Sequence, residues 1–143
     1  MTRPGPADFV LPHIRAAKDL MDRAYAEPLD LEALARRAGY SRFHFLRAFR
    51  DAYGETPRAY LTRRRIERAK DLLRSANLTV TEVCFLVGFS SLGSFSARFT
   101  ELVGMSPSEY RSDTTRRGGP PRIPGCVVMM WTRLPGPGPG PHV

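Results

Sequence analysis

One pattern occurs twice in this 143-residue chain, about fifty positions apart. The first copy reads Ala38-Gly39-Tyr40-Ser41, then Phe45, Phe49, Tyr53-Gly54, Thr56-Pro57 and Tyr60. The second reads Val87-Gly88-Phe89-Ser90, then Phe95, Phe99, Val103-Gly104, Ser106-Pro107 and Tyr110. Gly39 and Gly88 are offset by 49, whereas every pair from Phe45/Phe95 to Tyr60/Tyr110 is offset by 50, so one residue is inserted just after the second Ser. A register that holds over this length marks a duplicated supersecondary unit. Each unit reads as helix, glycine turn, helix.

The punctuation around the repeats predicts the remaining elements. A first helix is expected from Pro12 to Ala26, with Ile14, Ala17, Leu20, Met21 and Ala24 on one face and Pro28 ending it. Asp30 can cap a short helix from Leu31 to Ala38, whose apolar stripe is Leu31, Leu34, Ala35 and Ala38. Gly39 supplies the left-handed backbone of the turn, and Ser41 caps the next helix, which points Phe45 and Phe49 inward. Thr56-Pro57 opens a long helix to about Ser75, roughly 28 Å at 1.5 Å per residue. Thr79 and Glu82 form a capping box for a fifth helix carrying Val80, Val83, Cys84 and Val87. A sixth runs from Leu92 to Val103, and Ser106-Pro107-Ser108-Glu109 reads as a second box opening a last helix to about Ser112. No β-alternation appears, so the expected fold is all-α with about seven helices. The expected layout is an extension over 1–10 and a helical domain over 11–112. Within it lie a first helix-turn-helix at 31–53, a linker helix at 57–75 and a second helix-turn-helix at 79–103.

Charge is concentrated rather than spread. Residues 36–74 hold 12 of the chain's 22 basic residues against 4 acidic ones, and 11 of those 12 are Arg. Arginine's planar fork suits phosphate oxygens and guanine edges. A basic block between two helix-turn-helix patterns therefore points to nucleic acid rather than to a merely solvated face.

Other function classes find no residues to carry them. Cys84 and Cys126 have no metal-ligand spacing, and Cys84 reads as a small core residue. His13, His44 and His142 are scattered, and Glu82, Glu101 and Glu109 resemble no acid–base pair. No enzyme activity and no cofactor or metal are expected. No signal peptide or membrane-spanning run is legible, so the expectation is a cytoplasmic protein without membrane contact.

The chain resembles the DNA-binding domain of AraC/XylS-type transcription regulators over about residues 11–112. The matching stretches are Leu34–Ser41, Phe45–Arg50, Tyr53–Pro57, Tyr60-Leu61, Arg65-Ile66 and Ala69–Leu73, then Val87–Ser91, Phe95-Ser96, Phe99 and Val103–Arg111. The resemblance implies two protruding helices that enter successive major grooves, held about one DNA turn apart by the long helix. By position, Arg42, Phe43, Leu46 and Arg47 of the first recognition helix would face the groove, and Leu92, Gly93, Ser94, Ser96 and Ala97 of the second. His44, Arg50, Arg63, Arg64, Ser91 and Arg98 complete the candidate DNA-contacting set. Phe43 is open between partial burial and a thymine methyl, and His44 between packing and phosphate. Arg63, Arg64 and Arg68 are open between phosphate and pairing with Glu67 or Asp71.

The second helix departs from the family pattern. Relatives usually carry polar residues near Leu92 and Gly93 and an Arg at Ala97, which is also the repeat partner of Arg47. Arg98 lies one position on, displaced by about 100° around a helix. The first unit is therefore expected to discriminate bases and the second to read them weakly.

Residues 113–143 hold 13 Gly or Pro and end in alternating Pro and Gly, the composition of a tail without its own core. Its apolar segment 126–131 is open between docking on the helical domain, pairing with another chain and the remnant of a lost domain. With about ten residues before the first helix, the chain resembles stand-alone members without a sensor domain. The favoured expectation is a sequence-specific transcription regulator, monomeric on double-stranded DNA and touching RNA polymerase. The alternative is a protein-interaction module, binding polymerase or another regulator with DNA contact secondary.

Overall fold

The computed structural model describes residues 12–118, 123–125 and 128. They fall into two compact units, residues 1–65 and 66–143. The first holds α1 (Pro12–Arg23), α2 (Leu31–Arg37), α3 (Arg42–Tyr53) and the start of α4 (Pro57–Ser75). The second holds the rest of α4, then β1 (Ala76–Asn77), α5 (Val80–Leu86), α6 (Leu92–Val103), α7 (Pro107–Arg116) and β2 (Ile123–Pro124). The fold is all-helical, with seven helices among the described residues. The one addition is the two-residue parallel pairing of β1 with β2, too short to leave a periodic signal in the sequence.

Both turns are built alike. In the first, the Gly39 N–H donates to Arg36 O (3.0 Å) and the Tyr40 N–H to Ala35 O (2.9 Å). In the second, the Gly88 N–H donates to Phe85 O (3.2 Å) and the Phe89 N–H to Cys84 O (3.1 Å). This paired bonding closes a helix only if the intervening residue is left-handed, and Gly39 and Gly88 have φ of +79° and +105°. Caps then restart the chain. Ser41 Oγ accepts from the His44 N–H at 3.2 Å, and Ser91 Oγ from the Ser94 N–H at 3.0 Å. The inserted residue thus lengthens the second turn and makes Ser91, not Ser90, the cap.

The repeat also organises the cores. Phe45, Phe49, Phe95 and Phe99 are buried, each worth about 1.5–3 kcal/mol. Phe49 meets Tyr60 edge-on with centroids 5.8 Å apart, and Phe99 meets Tyr110 in the same way at 5.5 Å. In the first unit these rings pack with Ile14, Ala17 and Met21 of α1 and Leu34 and Ala35 of α2. The second unit buries Ile66, Leu73, Leu78, Val83, Cys84 and Val87.

Several boundaries differ from the sequence expectation. The first helix stops at Arg23, three residues short of Ala26. The cause lies forty residues away: Arg65 donates from Nε to Tyr25 O (2.6 Å) and from Nη2 to Glu27 O (2.9 Å), holding this stretch as turns. The last helix runs to Arg116 rather than Ser112, so 113–116 belong to the helical domain. There the Thr114 and Thr115 hydroxyls donate to Arg111 O, and Arg117 pairs with Asp113 at 3.2 Å. Thr79 and Glu82 form the full capping box. Ser106 makes only half of one, accepting from the Glu109 N–H at 3.1 Å. The extension over 1–10 and most of segment 126–131 lie outside the described residues.

Candidate nucleic-acid interface

Position on α3 separates core from surface. At about 100° per residue, Arg42, Leu46, Arg50, Phe43 and Arg47 fall within one arc of about 140°, while Phe45 and Phe49 lie off it and face the core. Arg42, Phe43, Arg47 and Arg50 are exposed and Leu46 is half-buried. Phe43 is 78% exposed, which removes the partly buried alternative left open by the sequence. Arg42 lies 3.5 Å from Glu32, and with both side chains exposed such a pair contributes about 0–1 kcal/mol, so a stronger anion displaces it readily. His44 lies beyond the arc and packs edge-on against Tyr40, with centroids 4.4 Å apart.

The same arc on α6 is electrically blank. It comprises Leu92, Gly93, Ser96, Ala97 and Thr100, without one charged side chain. Ser91, Leu92, Gly93, Ser94 and Ala97 are exposed, and Ser96 is half-buried. The Thr100 hydroxyl is turned back onto Ser96 O at 2.8 Å. Arg98 sits outside the arc and pairs with Glu101 at 3.1 Å. The helix offers small side chains, methyl groups and hydroxyls.

The linker arginines are engaged at home. Arg63 donates to Glu55 Oε1 from Nε (3.0 Å) and Nη2 (2.8 Å), and its guanidinium lies 5.2 Å over the Tyr60 ring. Arg64 Nε is 3.3 Å from Asp22, which also accepts from the Lys18 ammonium at 2.9 Å and from the Tyr60 hydroxyl. Burial pushes the Asp22 carboxyl up, but Tyr60, Lys18 and Arg64 outweigh it and hold the group below its ordinary value. Arg63 and Arg64 thus tie the start of α4 to the first unit, through Glu55 eight residues away and Asp22 in α1. Arg74 pairs with Asp71 as the helix spacing allows. Five exposed arginines of the basic block lie outside the sequence-derived set: Arg36 and Arg37 on α2 and Arg58, Arg68 and Arg74 on α4. Arg36 and Arg37 lie within the matching stretch Leu34–Ser41, whereas Arg58 had no signal beyond composition.

Among the described residues no group of three His, Cys, Asp or Glu could hold a metal ion, and no helix is long and apolar enough to cross a membrane.

Two capped helix-turn-helix units, one with an exposed cationic recognition face, define the class: a helix-turn-helix domain. Residues 34–113 match the family model described as a helix-turn-helix domain. The chain is 40% identical over 87 residues to the HTH-type transcriptional activator AarP of Providencia stuartii, covering 60% of this chain and 64% of AarP. The DNA-binding domain of AdpA, a global transcriptional factor solved in complex with a target DNA, superposes with a TM-score of 0.70 at 31% identity, covering 73% of this chain and 95% of that one. A probable AraC family transcriptional regulator from Rhodopseudomonas palustris superposes with a TM-score of 0.65 at 28% identity, covering 77% of this chain and all of the other. The chain belongs to the AraC-type helix-turn-helix transcription regulators, a family of DNA-binding proteins rather than enzymes. It spans less than two thirds of AarP's own length.

Proposed function

We propose that this chain binds a directional, non-palindromic DNA site as a monomer in the cytoplasm, with α3 and α6 in two successive major grooves and α3 supplying most of the discrimination. The carrying observation is the contrast between the two arcs: three arginines and a bare Phe43 on α3, no charge on α6. Arg42, Arg47 and Arg50 have the donors for guanine edges and phosphates, and Phe43 has the apolar face for a thymine methyl. The blank arc of α6 suits close approach and shape reading more than base-edge hydrogen bonds. The 19 residues of α4 span about 28 Å, comparable to the roughly 34 Å between successive major grooves. Arg36, Arg37 and Arg58 add phosphate-contacting charge, and Arg63 and Arg64 would reach phosphate only by leaving Glu55 and Asp22.

A specific observation also favours a protein contact. Phe85 and Leu102 of the second unit are 54% and 51% exposed, apolar side chains outside the outward arc of α6. RNA polymerase is the partner that a regulator bound at a promoter would meet with this surface.

Selection of duplexes from a random library, followed by footprinting, tests the reading. The expected result is two protected patches one turn apart, with sharp base preference under one and weak preference under the other. Affinity for the selected duplex should fall steeply with salt, in proportion to the phosphates neutralised. A single protected patch would remove the two-groove reading, and no selected sequence would leave the protein-interaction alternative.

A further inference from the structure

The end of α4 is where the second unit gathers its non-helical contacts. Ala76 and Asn77 of β1 pair in parallel with Ile123 and Pro124 of β2, in register Ala76 to Ile123 and Asn77 to Pro124. Gly125 continues this contact. A Cβ on it would lie 2.6 Å from Asn77 O and 2.9 Å from Leu78 Cδ2, closer than such atoms approach, so only glycine fits without displacement. Val128, three residues on, is buried. Ala76 and Leu78, on the other side of the contact, are buried too.

The same short junction leads into the second helix-turn-helix. Thr79, the residue after Leu78, is the N-cap of α5 and forms the capping box with Glu82. Arg111 of α7 donates from Nε to Leu73 O in the last turn of α4 at 3.3 Å. Without β2, residues 76 and 77 would be an edge with unpaired peptide groups between two helices.

We propose that Ile123–Gly125 and Val128 form a strap that fixes the α4–α5 junction, and that the presentation of α6 to DNA depends on it. The dependence on DNA rests on the function proposed above; the strap itself does not. Losing the strap lets the junction open locally, and α5, only seven residues long, transmits that opening to α6.

Three variants test it: the chain ended after Gly118, the chain ended after Thr132, and Gly125→Val in the full chain. Amide hydrogen exchange over residues 76–87 is measured first. The chain ended after Gly118 and Gly125→Val should both exchange about tenfold faster there, equivalent to about 1.4 kcal/mol, and the chain ended after Thr132 should match the full chain. On a selected duplex, the first two should lose the weaker footprint patch while keeping the sharper one. Unchanged exchange in both would overturn the strap. Faster exchange with both patches intact would overturn its link to α6. If no duplex is selected at all, the DNA reading fails while the exchange result still decides the strap.

Discussion

The two helix-turn-helix units keep the same skeleton and present different surfaces. Phe49–Tyr60 and Phe99–Tyr110 meet at nearly the same distance and angle, and both turns carry the same pair of backbone bonds. The outward arcs share almost nothing: Arg42, Phe43, Arg47 and Arg50 on α3 answer to Leu92, Gly93, Ala97 and Thr100 on α6. Packing at near-crystalline density penalises any change of volume, while solvent-facing positions carry little cost. The two units therefore share a core while their outward faces differ.

The largest expected effect tests the shared half of this comparison. Phe49→Ala and Phe99→Ala should each destabilise the protein by about 3–5 kcal/mol, measured by urea unfolding. A large inequality between them would show that the two cores are not equivalent. The divergent half is tested next: Arg47→Ala should cost about 1–3 kcal/mol of affinity for a selected duplex at fixed salt, and Arg98→Ala markedly less. Comparable losses would contradict the unequal division of labour between α3 and α6.

The turns give a finer contrast. Gly39→Ala and Gly88→Ala should each cost about 1–2 kcal/mol of stability, with Gly88→Ala the more damaging because its φ of +105° lies further from the left-handed basin than +79°. Equal thermal shifts would show that the second turn relaxes. The smallest effect is a pH dependence within the first unit. The Asp22 carboxyl is held below its ordinary value, so its stabilisation is present above the unfolded pKa of about 3.9 and is lost as pH falls through the lower folded value. Amide exchange along α1 between pH 5 and 3 should show this loss, and Asp22→Asn should flatten it. The same acid response in Asp22→Asn would assign it to another group.

What could be read in advance follows from how locally it is encoded. Helix starts lie close to their expectation because the caps act within three residues, as at Asp30, Ser41 and Thr79. The exposed arc of α3 was legible because period and core phenylalanines fix its phase. The end of α1 was not, because Arg65 decides it from forty positions away. Neither the partners of Arg63 and Arg64 nor the pairing of β1 with a dipeptide near the C-terminus leaves a periodic trace. The apolar segment 126–131, left open between three roles, has only Val128 among the described residues, and the paired Ile123-Pro124 lies ahead of it.

The separation of ring-bearing positions from outward-facing ones on α3 and α6 makes these helices interchangeable parts. Seven residues starting at the cap could be transplanted from one to the other, keeping the buried rings in place. A chain altered in this way is expected to retain its fold and, on the function proposed above, to select a different duplex.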